Sequence, residues 1–124
     1  MQSSNSISVK VQTQYLSDRT NKENEFPFAY KITISNSSNQ LVQLINRYWL
    51  ITDGNGKKTE IHGEGVIGQK PYIRQGQTFV YTSGAVLETP VGTMQGYYEM
   101  KNESGEWFKA PIEVFSLAVP NILN

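Results

Sequence analysis

The chain contains no cysteine, which excludes disulfide staples, thiolate zinc sites and thiol nucleophiles together. Histidine is nearly missing as well, so His62 alone can titrate near neutrality without a shifted pKa. Neither sign of charge is in excess. Eleven basic residues balance eleven acidic ones, which gives no nucleic-acid footprint and no polybasic membrane anchor. No window approaches the roughly 18 consecutive apolar residues that cross a bilayer. The opening MQSSNSISVK lacks the charged start and apolar run of a secretory signal, so a cytoplasmic, soluble protein is expected. Helical periodicity, internal repeats, low-complexity tracts and long linkers are absent too. At 124 residues the chain reads as one domain, 1–124, with its core over about 7–117. About two-thirds of the unfolded surface can be buried at this size.

What is present is period-two alternation. Ile7, Val9, Val11 and Thr13 share one face. After the polar loop SDRTNKENE the pattern resumes with Phe26, Phe28, Tyr30, Ile32 and Ile34. The apolar run LVQLINRYWLIT (41–52) reads as a strand that ends at a DGNG hairpin turn and returns over 57–61. Further strands are expected over 77–83, 93–101 and 107–117. The clusters NSSN and NESG read as turns, 84–92 as a second loop, and the tail VPNILN as an extended end. Pro27 and Pro111 fall at or inside strands, where proline marks a start, an edge or a bulge. Seven short strands of this kind indicate an all-β, seven-stranded antiparallel β-sandwich with Greek-key connections.

Seven of the ten glycines lie in residues 62–98. Gly63, Gly65 and Gly68 satisfy G-x-G-x-x-G, but Gln-Lys-Pro-Tyr-Ile-Arg follows, so no helix opens there to receive a pyrophosphate. The G-K-[ST] ending of a P-loop is missing as well. The spacing fits a loop whose glycines relieve backbone sterics, and its amides could still form a nest for an anion.

The segments YWLITDGNGK, GEGVIGQKPYIRQGQTFVYTSG, LETPVGTMQGYYEM and APIEVFSL, in that order, resemble the ApaG family over about Val9 to Leu117. The specificity lies in the combined string from Gly63 to Met100. The resemblance implies an immunoglobulin/fibronectin type III-like sandwich. It also implies a single-domain bacterial protein associated with cobalt resistance and magnesium efflux, without an established catalytic activity. Similar domains in eukaryotic F-box proteins and in a DNA-polymerase-delta-interacting protein look like protein-interaction modules. Lys70 and Gln75 depart from the acidic or proline residues common at those positions.

The chemistry-bearing residues are sparse. In a strand His62, Glu64 and Glu60 would share a face, offering one imidazole and two carboxylates to Co²⁺, Mn²⁺ or Zn²⁺, a weak candidate because i, i+2 spacing is common. No nucleophile sits beside His62 in sequence, and Ser83 lacks the G-x-S-x-G turn, so an enzyme is not expected. The consecutive Tyr97 and Tyr98 must point to opposite faces of a strand. One of them is therefore available to a partner, where tyrosine is enriched. The expected function is a non-enzymatic binding module, without a cofactor, that contacts an unknown protein partner as a monomer or weak homodimer. Its contact residues are drawn from Gly63, Glu64, Gly65, Gly68, Lys70, Arg74, Tyr97 and Tyr98, with the loop 85–90 beside them. The alternative is a sensor that binds a divalent cation, a phosphate or a nucleotide at the glycine-rich loop.

Overall fold

Alternating β-branched and aromatic residues build two antiparallel sheets in the computed structural model, which describes residues 6–19 and 23–120. The strands are β1 (Ile7–Tyr15), β2 (Phe26–Asn36), β3 (Val42–Asp53), β4 (Lys58–Glu64), β5 (Tyr72–Ile73), β6 (Thr78–Leu87), β7 (Val91–Asn102) and β8 (Trp107–Ala118). A 3₁₀ turn, Ser17–Arg19, follows β1. One sheet has the order β1-β2-β6. The other runs β4-β3-β7-β8, with β5 added to the start of β3. Residues 1–5, 20–22 and 121–124 lie outside the described residues; with them go the absent signal, part of the polar loop 17–25 and most of the extended tail expected from the sequence.

The all-β antiparallel sandwich expected from the sequence is present, with eight strands rather than seven. The extra one, β5, pairs only Val42 with Ile73 and Gln43 with Tyr72, too few residues to alternate visibly. Two loops are shorter than expected. β6 continues to Leu87, because Gly84 stays extended opposite Ala29, so the loop expected over 84–92 shrinks to the turn before β7. β4 continues through His62 to Glu64, which removes those residues from the glycine loop.

The core lies between the sheets. Phe28, Tyr30, Ile32 and Ile34 come from β2, Trp49 from β3, and Tyr98 and Met100 from β7, all buried. Tyr30 meets Trp49 edge-on at 5.4 Å, and Trp49 meets Phe115 at 5.8 Å and 85°. Burying one such side chain is worth roughly 1.5–3 kcal/mol. A bulge sets the phase of β3: Leu44 pairs with Met100 and Asn46 with Glu99, leaving Ile45 as the extra residue. Beyond it the odd-numbered residues turn inward, so Trp49 enters the core and Tyr48 faces out.

The hairpins β3–β4 and β7–β8 close with one device. Asp53 Oδ1 accepts the amides of Asn55 and Lys57, and Asn102 Oδ1 accepts those of Ser104 and Glu106. Gly56 and Gly105 supply the positive φ (85° and 87°) that each turn requires. Pro111 sits on the edge strand β8, just before its bulge at residues 113–114. Pro27 is the second residue of β2.

Candidate functional site

On the outer face of the larger sheet, one residue from each of β4, β3, β7 and β8 forms a row. His62 pairs with Tyr48, Tyr48 with Tyr97, and Tyr97 with Pro111. The rings of Tyr48 and Tyr97 stack at 4.9 Å and 27°, and His62 lies 4.9 Å from Tyr48 on the other side. The Lys109 ammonium stands 4.4 Å from the centre of the Tyr97 ring. Tyr48 donates its hydroxyl to Glu60 Oε2 at 2.7 Å, and this hydrogen bond pushes the phenol pKa up. Asn46 Nδ2 donates to Glu99 Oε1 at 3.0 Å beside the row. The rings floor a shallow shelf of about 340 Å³, with Gly63, Glu64 and Glu99 on its margin.

Of the consecutive tyrosines, Tyr97 is the outward one. Tyr98 is fully buried and is withdrawn from the candidate contact residues. Its hydroxyl lies 2.5 Å from that of Tyr81. Burial pushes the Tyr81 phenol up to about 12 and that of Tyr98 further still.

The glycine stretch forms two turns separated by β5. In the first, Val66 and Gln69 exchange backbone hydrogen bonds at 2.8 and 2.9 Å. Ile67 (φ 43°) and Gly68 (φ 77°) occupy its corners, the arrangement of a type I′ turn. Ile67 is the only non-glycine residue at positive φ among the described residues, and it is exposed. The amides of Gly65, Val66 and Gln69 all donate within the chain, the first to Ile45 O at 2.7 Å, and are not available to an anion. Arg74 belongs to the second turn, where its carbonyl accepts the Gln77 amide.

Arg47 holds the first turn from inside. Its Nη1 donates to the carbonyls of Glu64 and Gly65 at 3.1 and 2.9 Å. A Cβ at Gly63 would stand 2.6 Å from the guanidinium carbon, so this glycine makes room for Arg47 rather than for a ligand. Among the described residues Arg47 makes no ion pair with a carboxylate. Nothing in the sequence singles it out, because only the bulge at Ile45 turns it inward.

The metal candidates do not assemble. Glu60 faces Tyr48, Glu64 pairs with Lys70 at 3.1 Å, and no group of three or more His, Asp or Glu able to hold a metal occurs among the described residues. Nor does a side-chain hydrogen bond join His62 to a hydroxyl nucleophile there. The arrangement can therefore stack, donate and accept at a surface.

Comparison with known proteins agrees with the fold. The family model described as the ApaG domain matches residues 16–102. The chain is 51% identical over 119 residues to Protein ApaG of Sodalis glossinidius, covering 95% of each chain. A crystal structure from Bordetella pertussis that carries the name ApaA is 40% identical, covers 93% of this chain and 94% of its own, and superposes with a TM-score of 0.90. An X-ray structure of a structural-genomics target is 46% identical over 97% of this chain and 92% of its own, with a TM-score of 0.92.

Proposed function

The chain belongs to the ApaG family, and on that premise we propose that it is a non-enzymatic module that docks a partner protein on the outer aromatic row of its larger sheet. The observation that carries this reading is the His62–Tyr48–Tyr97 stack, three rings held side by side on a solvent-facing sheet. Aromatic surface of this kind packs well at low entropy cost and concentrates binding energy. Glu60 and Glu99 flank the rings beside Arg47 and Lys109, so the shelf suits a flat group that stacks on a tyrosine and pairs with a carboxylate, such as an arginine. Such a module acts in the cytoplasm. An association with cobalt or magnesium traffic then runs through that partner.

The test is capture of partners by wild-type protein and by the Y48S/Y97S double variant, with R74A as a control. The expected result is a partner lost with the first variant and kept with the second. Backbone amide shifts, measured with that purified partner, should then map to β3, β4 and β7. A partner retained by Y48S/Y97S overturns the reading.

A further inference from the structure

The two sheets differ in width. β1 and β8 lie against each other, which closes one side of the sandwich. On the other side β4 has no strand opposite it, because the facing sheet stops at β6. The result is a groove between the free edge of β6 and the inner face of β4. One part, about 380 Å³, is floored by Ile51, Ile61, Ala85 and Met94, with Asp53, Lys57 and Glu88 at its end. The other part, about 240 Å³, reaches from Ser83 and Tyr81 to Arg47 and Ile67, and Tyr30 lines both.

The edges of the two sheets are not equally protected. Soluble proteins blunt free edges with charges, proline or bulges. β1 carries Lys10, β4 carries Lys58, Glu60 and Glu64, and β8 carries Lys109, Pro111, Glu113 and a bulge. β6 reads TFVYTSGAVL, ten residues without a charge or a proline. Its outward Val80 and Val86 are 46% and 61% exposed. Among the edge strands of the described residues, the unguarded one is thus the one beside the groove. At one end of that groove stands Arg47, in no ion pair with a carboxylate among the described residues, next to an exposed isoleucine held in a strained backbone conformation.

We infer that an extended segment of a partner protein adds to the β6 edge as a fourth strand. Its middle is uncharged, alternate side chains are apolar and fill the groove, and a carboxylate lies at the Arg47 end. Main-chain pairing gives affinity, and alternate side chains and the terminal charge give selectivity. Arg47 borders both this groove and the aromatic shelf, whereas Ala85 and Val86 line the groove alone, so changes at those two positions tell the two readings apart.

The probe is a display library of random twelve-residue peptides panned against the whole chain. The enriched peptides are expected to show alternating apolar positions with an acidic residue toward one end. In labelled protein their amide shifts should fall on β6 and the inner side of β4. V86K places a charge on the unguarded edge at an exposed position and should weaken binding at least tenfold. R47Q should remove the preference for an acidic over an amidated end; because Arg47 also holds the glycine turn, the amide spectrum of free R47Q is compared first, and A85W, which fills the groove, provides an independent block. Failure to enrich any peptide overturns the inference, as do shifts on the aromatic shelf or binding that survives both V86K and A85W. Sedimentation revealing a dimer that V86K dissolves would overturn it too, since a second copy would then occupy the edge.

Discussion

The hydroxyl of Tyr81 lies 2.5 Å from the hydroxyl of Tyr98, joining the smaller sheet to the larger through a hydrogen bond closed to water. Removing one hydroxyl leaves the other buried without its partner. Y81F and Y98F should therefore each lose about 1–3 kcal/mol, and the double variant should lose less than their sum. Urea unfolding of the four proteins measures this coupling.

The same pair sets an alkaline limit. The folded pKa of Tyr81 is raised to about 12, and that of Tyr98 more, against about 10 in the unfolded chain. Above pH 10 the unfolded state holds fewer protons than the folded one, so stability falls as pH rises from 10 through 12 and is fully present below 10. Tyrosine absorbance near 295 nm should show two late-titrating phenols that appear with unfolding, and Y81F/Y98F should flatten the decline.

Ile67 gives a prediction of opposite sign. A β-branched residue at φ 43° carries strain of about 1–2 kcal/mol, whereas asparagine tolerates that region. I67N should raise stability by about 1 kcal/mol in thermal or urea unfolding. Because Ile67 borders the groove, the same change should weaken peptides selected on the β6 edge.

Gly96 should be intolerant for a different reason. A Cβ there would meet the Tyr48 carbonyl oxygen 1.9 Å away, and backbone cannot yield cheaply. G96A should cost upwards of about 3 kcal/mol or abolish folding. At Gly56 the space is open and only the positive φ resists, so G56A should cost about 1 kcal/mol. Soluble yield and unfolding midpoints separate the two cases.

Asn36 is a buried polar residue with every side-chain group in use. Its Nδ2 donates to the carbonyls of Gln40 and Ile73, and its Oδ1 accepts from the amide and hydroxyl of Ser38. N36A should cost about 2–3 kcal/mol. N36D sets a buried carboxylate against two carbonyl oxygens, which raises its folded pKa. That variant should be more stable near pH 4 than at pH 7, as equilibrium unfolding at the two values will show.

Alternation was enough to place Phe28, Tyr30, Ile32 and Ile34 in the core, and consecutive numbering was enough to split Tyr97 from Tyr98. The inward turn of Arg47 was not legible, because the bulge at Ile45 changes which residues face in and no local signal marks it. Tyr48 was hidden for the same reason. Its place in the row depends on pairing with both His62 and Tyr97, which are far apart in sequence. The loop 84–92 was misread because glycine signals a turn on average, while Gly84 remains extended in the ladder. The metal triad failed on partners rather than on position. Glu60, His62 and Glu64 do share a face, but Tyr48 and Lys70 engage the carboxylates.

The unguarded strand β6 also bears on how the chain reaches this state. The hairpins β3–β4 and β7–β8 close over short loops, whereas β6 must find β2 across three intervening strands. Pairings of this kind form late, on a scale of roughly milliseconds to seconds. Until then an uncharged, aggregation-prone segment stays open to other chains. Refolding yield should therefore fall as protein concentration rises, and V86K, harmless to the finished fold, should restore it.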